Sequence, residues 1–80
     1  MTMPGMNRIT FDPNIMGGRA CIRGMRITVA LILNLVAGGM TAIEIIKAYP
    51  YLEPEDIHQA LLYTIWLADE RVLPAGLVDY

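Results

Sequence analysis

The sequence changes character at Thr28, and this change constrains the fold more than any other feature. Before Thr28, the β-favouring segments RITF and ACI are separated by Asp12-Pro13 and Gly17-Gly18, which interrupt strands and form turns. After Thr28, apolar residues recur at helical spacing. We therefore predict a single, mainly α-helical domain with an N-terminal β-hairpin or ribbon over about residues 8–27.

Local signals predict the bounds of the first two helices. Thr28 is a suitable N-cap, and Gly38-Gly39 supplies the left-handed residue on which many helices end, which predicts helix 1 over residues 28–39. A capping-box pattern begins at Thr41 and predicts helix 2 over residues 41–49, where a Tyr-Pro pair stops the helix.

A third helix is predicted over residues 54–70, because Pro54 suits a first helical turn. Its expected core-facing residues are Ile57, Leu61, Thr64, Ile65 and Ala68. Helix 2, the connection YPYLE and helix 3 have the layout of a helix-turn-helix, in which the second helix enters the major groove of DNA. Residues 71–80 are predicted to be an extension with little regular structure.

The chain is unusually apolar for its length. It has 80 residues, of which 55% are hydrophobic and 18% charged, whereas soluble domains average about 25% charged residues. Helix 1 is apolar on every side except at Asn34, and a helix of this kind has to be covered all round. We therefore expect a homodimer, a larger oligomer or a bound protein. The residues expected at such an interface are Leu31, Leu35, Leu62 and Trp66.

Basic residues are concentrated in the first half of the chain. The first 39 residues carry four arginines and one aspartate, a net charge of +3, and the rest carry two basic residues and seven carboxylates, a net charge of −5. Such asymmetry indicates a basic surface with an anionic partner. Arg19, Arg23 and Arg26 are candidate contacts to DNA phosphates or a protein partner. Alternatively they are solvated, or paired internally with Asp12 or an acidic residue of helix 3.

Helix 3 offers few side chains that could read DNA bases. It contains no lysine or arginine before Arg71, so the early arginines would have to supply the phosphate contacts. His58 and Gln59 are the candidate base-reading residues near its start.

No pattern in the sequence predicts catalysis, a cofactor or a metal site. The one cysteine, Cys21, lacks the paired spacing of disulfides and metal-binding cysteines. The glycines of residues 18–24 match neither a Walker loop nor a dinucleotide-binding fingerprint. The carboxylates considered as magnesium ligands are Asp12, Glu44, Glu55 and Asp56. Because acidic residues at a helix start are already explained by the helix dipole, we expect no enzymatic activity.

The expected location is the cytoplasm. The N-terminal residues lack the basic region and apolar core of a secretory signal. The longest apolar run, VALILNLVA, is far shorter than the roughly 20 residues that a membrane-spanning helix needs. A lone cysteine is also compatible with a reducing compartment.

The segment DPNIMGGRACIRGMRITV resembles the signature of a small bacterial family, domain of unknown function 433. The residues that match its usual run are Asp12, Pro13, Gly17, Gly18, Ile22, Gly24, Arg26, Ile27 and Val29. Arg19 and Arg23 keep a positive charge where the family has lysine, and the later segment GMTAIEIIKAYPYLEPEDIHQALLY is also similar. The resemblance covers about residues 8–68.

This resemblance implies a winged or ribbon-bearing helix-turn-helix of homeodomain-like type. It also implies a function, the antitoxin of a VapB-type toxin–antitoxin pair. Such a protein binds and blocks a co-encoded PIN-like ribonuclease toxin, and the complex binds operator DNA for autoregulation.

The sequence departs from the family pattern at Ala20, Met25, Thr28 and Glu53. Glu53 replaces a threonine or serine and, with two carboxylates just after it, makes the start of helix 3 negative, which phosphates would repel. The alternative function is therefore a dimeric protein-interaction module that does not bind DNA.

Overall fold

The structure, a computed structural model, describes residues 2–3 and 5–70. In this part of the chain a short sheet precedes three helices. The strands are β1 (Thr2–Met3), β2 (Met6–Thr10) and β3 (Cys21–Ile22), and the helices are α1 (Val29–Ala37), α2 (Ala42–Ala48) and α3 (Pro54–Glu70). The predicted fold class is confirmed, and none of these helices is long and apolar enough to cross a membrane. The extension predicted for residues 71–80 lies outside the described residues.

The sheet is antiparallel, with β2 between β1 and β3. The pairing of β2 with β3 sets Ile9 opposite Ile22 and Thr10 opposite Cys21. Ile9 and Ile22 are both fully buried, so this register directs the isoleucines of the two strands into the core. The sequence did not predict β1, because a two-residue strand is too short to show alternation.

A tight turn follows β3. Arg23 and Gly24 have φ angles of +47° and +70°, and the Met25 N–H donates to the Ile22 carbonyl at 2.8 Å. Positive φ at both central residues is the geometry of a type I′ turn. Glycine adopts this conformation at little cost, but arginine does not. The conformation of Arg23 therefore depends on the contacts of its side chain.

Side-chain caps begin the first two helices, as the sequence predicts. The Thr28 hydroxyl accepts a hydrogen bond from the Leu31 N–H at 3.0 Å. At α2, the Thr41 hydroxyl accepts from the Glu44 N–H at 3.2 Å, and the Glu44 carboxylate accepts from the Thr41 N–H at 2.8 Å. This reciprocal pair is the predicted capping box.

The core lies where the sheet and the three helices meet. Its buried apolar residues are Ile9, Ile22, Val29, Ile32, Ile45, Leu52, Ile57 and Ala60. All the strands and helices given above except β1 contribute at least one of these residues. Leu52 comes from the connection between α2 and α3. α3 contacts β2, α1 and α2, and so forms the centre of the packing.

The predicted core stripe of α3 is wrong in its second half. Ile57 is buried, but Ile65 is 58% exposed and Ala68 is also exposed. The described buried positions of α3 all lie in its first half, at Asp56, Ile57, Gln59 and Ala60. α3 has 17 residues and α1 has nine, or roughly 25 Å against 14 Å at 1.5 Å per residue. The shorter elements therefore cannot cover the whole length of α3.

Candidate functional site

A buried carboxylate at the start of α3 joins three distant parts of the chain. The Asp56 side chain has no exposed surface and accepts hydrogen bonds from two arginines. The Arg8 Nη1 atom lies 3.0 Å from Asp56 Oδ1 and 2.6 Å from Glu53 Oε1. The Glu53 N–H also donates to Asp56 Oδ2, at 2.8 Å. Asp56 therefore caps its own helix and anchors β2 at the same time.

Arg23, in the turn after β3, binds the same carboxylate. Its Nε and Nη2 atoms donate to the two oxygens of Asp56 at 3.0 and 2.9 Å, which is the bidentate geometry that suits a guanidinium group. Arg23 Nη2 also donates to the Tyr51 carbonyl at 2.7 Å. These contacts compensate for the strained φ of Arg23 and connect the turn to the segment between α2 and α3.

The electrostatics of this cluster favour the ionised form of Asp56. Burial by itself raises the pKa of Asp56, but hydrogen bonds from Arg23, from the Glu53 N–H and from Arg8 outweigh burial, and the pKa falls below its ordinary value. The same contacts raise the pKa of both arginines: Arg8 through its hydrogen bonds to Glu53 and Asp56, and Arg23 through its hydrogen bond to Asp56. No buried side-chain polar atom of the described residues lacks a hydrogen-bond partner.

Two of the predicted DNA-binding residues make hydrogen bonds within the molecule, and their role in DNA binding stays a prediction. For Arg23 the contact is the internal pairing with an acidic residue of helix 3 that was given above as the alternative. Arg23 is committed to Asp56 and Tyr51, as described above. Gln59 is buried; its carbonyl oxygen accepts from the Arg8 backbone N–H at 2.9 Å, and its amide donates to Asn7 and Glu55, at 3.1 Å each. Gln59 would have to give up these contacts to reach a base, whereas the Arg23 side chain remains 36% exposed.

Arg19 and Arg26 remain on the surface. Both are exposed, and neither has a carboxylate within 4.0 Å among the residues that the structure describes. The internal pairing with Asp12 considered above is not formed in this part of the chain. Burial raises the pKa of Cys21, and the charges of Arg19 and Arg26 partly offset this rise. In the chain, Arg19 lies just before β3 and Arg26 lies just after the turn that follows it.

His58 is exposed on α3 and pairs only with a neighbouring carboxylate among the described residues. Its Nδ1 atom lies 3.2 Å from Glu55 Oε1, one turn earlier. Hydrogen bonds from Gln59 and His58 lower the pKa of Glu55, so the carboxylate beside the candidate base-reading histidine is negative at neutral pH. His58 thus faces solvent in an acidic setting.

The carboxylates considered as magnesium ligands are not brought together. Asp12 accepts from the Asn14 N–H, Glu44 belongs to the capping box of α2, and Asp56 is held by two arginines. Among the described residues no group of three His, Cys, Asp or Glu side chains is arranged to hold a metal ion.

The second half of α3 has an apolar face directed away from the core. Leu62, Ile65 and Trp66 have the i, i+3, i+4 spacing that places side chains on one helix face. Ile65 is 58% exposed, Trp66 is 40% exposed and Leu62 is half-buried. We call these three residues the outer face of α3. Trp66 stacks on Tyr63 with ring centroids 6.1 Å apart.

The two predicted interface residues of α1 differ in whether they pack against the core. Leu35 is half-buried and packs against the core cluster. Leu31 is half-buried but is not part of that packing. Leu31 is therefore the more available of the two for contact with another chain.

A groove lies between the start of α1 and the second half of α3. Its volume is about 480 Å³. Ala30 and Leu33 line it from α1, Tyr63, Thr64 and Leu67 line it from α3, and Arg19 borders it. Thr64 and Leu67 follow Ala60 at i+4 and i+7, so this groove continues the stripe that is buried in the first half of α3.

Sequence reasoning missed Arg8 as a partner of α3. It considered an internal pair between an early arginine and an acidic residue of helix 3, but it did not identify Asp56 as that residue. The ion pairs join residues 33 and 48 positions apart. A periodicity or spacing pattern cannot indicate a contact at such a separation. The available signal was weaker: four arginines precede residue 39, and acidic residues cluster at residues 53–56.

A comparison with protein-family models identifies the family of this chain. Residues 9–64, more than half of the sequence, match the family described as Protein of unknown function (DUF433). The chain belongs to this family. The match covers the end of β2, all of β3, α1 and α2, and most of α3, including the whole Asp56 cluster except Arg8. Neither the curated proteins nor the solved structures include a match to this DUF433 chain.

Proposed function

We propose that this DUF433 protein is an antitoxin of a type II toxin–antitoxin system and that the outer face of α3 binds a PIN-like ribonuclease toxin. The observation that carries the proposal is the apolar outer face itself. Ile65 and Trp66 expose more than a third of their surface on a small domain, and large apolar side chains grouped on one helix face are typical of a protein-binding surface.

The energetics favour a protein partner on this face. Burying a side chain of the size of Ile65 contributes about 1.5–3 kcal/mol, and tryptophan is among the residues most often found at the centre of binding interfaces. Leu62 lies one turn before them and extends the apolar surface. The carboxylates of the acidic α3 start lie more than two turns along the helix from Ile65 and Trp66.

Operator DNA is a second candidate ligand, and Arg19 and Arg26 are the observation in its favour. Both are exposed and unpaired among the described residues. The predicted entry of the α3 start into the major groove has less support, because Gln59 is internal and Glu55 is negative beside His58. We propose that any DNA contact is made through Arg19 and Arg26, which flank β3 in the chain, and depends on the complex with the toxin.

The test of the protein partner is co-expression with the product of the neighbouring gene, which the proposal expects to be a PIN-like protein, followed by affinity capture and a ribonuclease assay. The double variant Ile65→Glu/Trp66→Glu is expected to lose capture and inhibition. Truncation of central interface residues costs about 2–4 kcal/mol, which is about 30-fold or more in Kd. Ile43→Glu is the matched control, because Ile43 is 70% exposed on α2. Equal capture by both variants would contradict the proposal.

The test of DNA binding is fluorescence anisotropy with the upstream promoter duplex at several salt concentrations. Arg19→Ala/Arg26→Ala is expected to weaken binding and to lower the slope of log K against log salt by about 1.8, since each phosphate contact contributes about 0.9. Lys47→Ala is the control, because Lys47 is exposed at the end of α2. No binding by the wild-type complex at low salt would leave the alternative, a protein-interaction module without DNA binding.

A further inference from the structure

We propose that the groove between α1 and α3 is a binding site for a small monocarboxylate with an apolar body, such as a medium-chain fatty acid. Its volume of about 480 Å³ lies within the range of about 300–1,000 Å³ that is usual for small-molecule sites. The groove is on the core-facing side of α3, whereas the toxin is assigned to the outer face. This inference therefore does not depend on the proposed function.

Two hydrogen-bond donors border the groove where β3 leads into α1. Arg19 is exposed and has no carboxylate within 4.0 Å among the described residues. Thr28 is only 7% exposed; its hydroxyl accepts from the Leu31 N–H, and none of the hydrogen bonds between described residues uses the hydroxyl's own proton. The Val29 N–H donates to the Ala20 carbonyl at 2.9 Å, so Arg19 and Thr28 belong to the same end of the groove.

These donors favour an anionic group at this end. A carboxylate accepts charge-assisted hydrogen bonds from a guanidinium group and from a hydroxyl, and such bonds are stronger than neutral ones. Ala30 lines the groove from the first turn of α1, where the positive end of the helix dipole attracts negative charge.

A second copy of this chain suits the groove less well. A symmetric dimer formed through it would bring the same patch of both copies together. Two Arg19 side chains would then approach one interface, where like charges repel. The unpaired cation therefore favours a ligand that brings its own negative charge.

The rest of the groove suits an apolar body. Its apolar walls are lined by Ala30, Leu33, Tyr63 and Leu67. The Tyr63 ring is held between two other rings, edge-on to Phe11 with centroids 5.8 Å apart and stacked on Trp66. This wall is thus formed before a ligand arrives, which lowers the cost of binding. A carboxylate without an apolar body would leave these walls uncovered and bind more weakly.

The test is titration of the isotope-labelled full-length chain with octanoate, followed by amide chemical shifts in NMR. The signals of Ala30, Leu33 and Thr64 are expected to move and to saturate with a Kd on the order of 1 mM, as suits a ligand of about ten non-hydrogen atoms. Ile43 and Tyr51, which are exposed on or next to α2, are expected to keep their shifts. Acetate, which lacks the apolar body, and octylammonium, which has the opposite charge, are expected to give no saturable shift.

Two variants test the role of charge. Arg19→Gln is expected to weaken octanoate binding about tenfold or more, because it removes a hydrogen bond between charged groups. Arg26→Gln is the matched control, since Arg26 is equally exposed and unpaired among the described residues but does not line the groove. Equal affinity in the two variants would overturn the proposal.

Two results with the wild-type chain would also overturn it. One is the absence of saturable shifts at the groove amides. The other is movement of those amides with protein concentration before octanoate is added, which would assign the groove to a second copy.

Discussion

Asp56 and Arg23 show that the role of a charged residue depends on its partner and not on its sequence neighbourhood. Arg23 was a candidate phosphate contact because it lies between two other arginines. In the structure its guanidinium group holds Asp56 in bidentate geometry. Arg19 and Arg26, with the same local composition, remain exposed. The difference arises because only Arg23 occupies the turn that faces the start of α3.

The first prediction concerns the loss of the buried charge. Asp56→Asn removes the negative charge that two guanidinium groups share, and breaking a buried ion pair costs about 3–5 kcal/mol. Because both guanidinium groups are partly exposed, we expect the lower end, a loss of about 3 kcal/mol in the free energy of unfolding. Urea denaturation measures it. Asp69→Asn, at an exposed position of α3, is the control, and similar losses in both variants would contradict the assigned role.

The second prediction concerns pH. The pKa of Asp56 is lower in the folded chain than its ordinary value of about 3.9 in an unfolded one. The stabilisation is therefore fully present above about pH 4 and is lost as the pH falls through the folded pKa. We expect Tm to drop on acidification below about pH 4, and to drop less in Asp56→Asn. Glu44 and Glu55, whose pKa values are also lowered, account for the part that remains. An equally steep fall in the variant would contradict the linkage.

At the scale of the elements, local sequence signals were sufficient to predict where the helices begin and end. α1, α2 and α3 were each predicted within two residues of their observed bounds, because caps and helix-stopping residues act within one turn. The faces of α3 were less well predicted. Ile65 and Ala68 have core-like spacing, but both are exposed, and none of the described elements buries them. Periodicity indicates which residues share a face, and it does not indicate how far a neighbouring element extends.

The third prediction tests the capping box of α2. This helix has only seven residues, so its stability depends strongly on its ends. Thr41→Ala removes the hydroxyl that accepts the Glu44 N–H and is expected to lower the free energy of unfolding by about 1 kcal/mol. Thr41→Ser keeps the hydroxyl and is expected to be close to wild type. Chemical denaturation of both variants is the measurement, and a loss of the same size in Thr41→Ser would show that the hydroxyl is not responsible.

At the scale of the whole molecule, internal ion pairs explain part of the charge asymmetry. The net charges of +3 and −5 in the two parts of the chain suggested an anionic partner. Part of that asymmetry is used internally, because Arg8 and Arg23 pair with Glu53 and Asp56 across the fold. Among the described basic residues, Arg19, Arg26 and Lys47 have no carboxylate within 4.0 Å.

The fourth prediction concerns assembly. Eight of the nine residues of α1 are apolar, but only Val29 and Ile32 are buried; five of the other apolar residues are half-buried and Ala37 is exposed. We expect a dimer or larger oligomer in light scattering, and we expect Leu31→Glu to shift the mass toward the 8.9 kDa of one chain. Asn34→Glu changes an exposed position of the same helix and is the control. A wild-type mass of one chain would contradict this expectation.

The sequence by itself determined the helices, their caps, the antiparallel ribbon and the membership of the DUF433 family, because each depends on residues that are near one another in the chain. Only the tertiary structure decided which arginines are internal, which side of α3 remains apolar and open, and where the groove lies. Those properties depend on contacts between segments that are 30 to 50 residues apart and on how far each helix extends beyond its neighbours. A pattern of residue types along the chain shows neither which distant segments are in contact nor how far one helix extends beyond another.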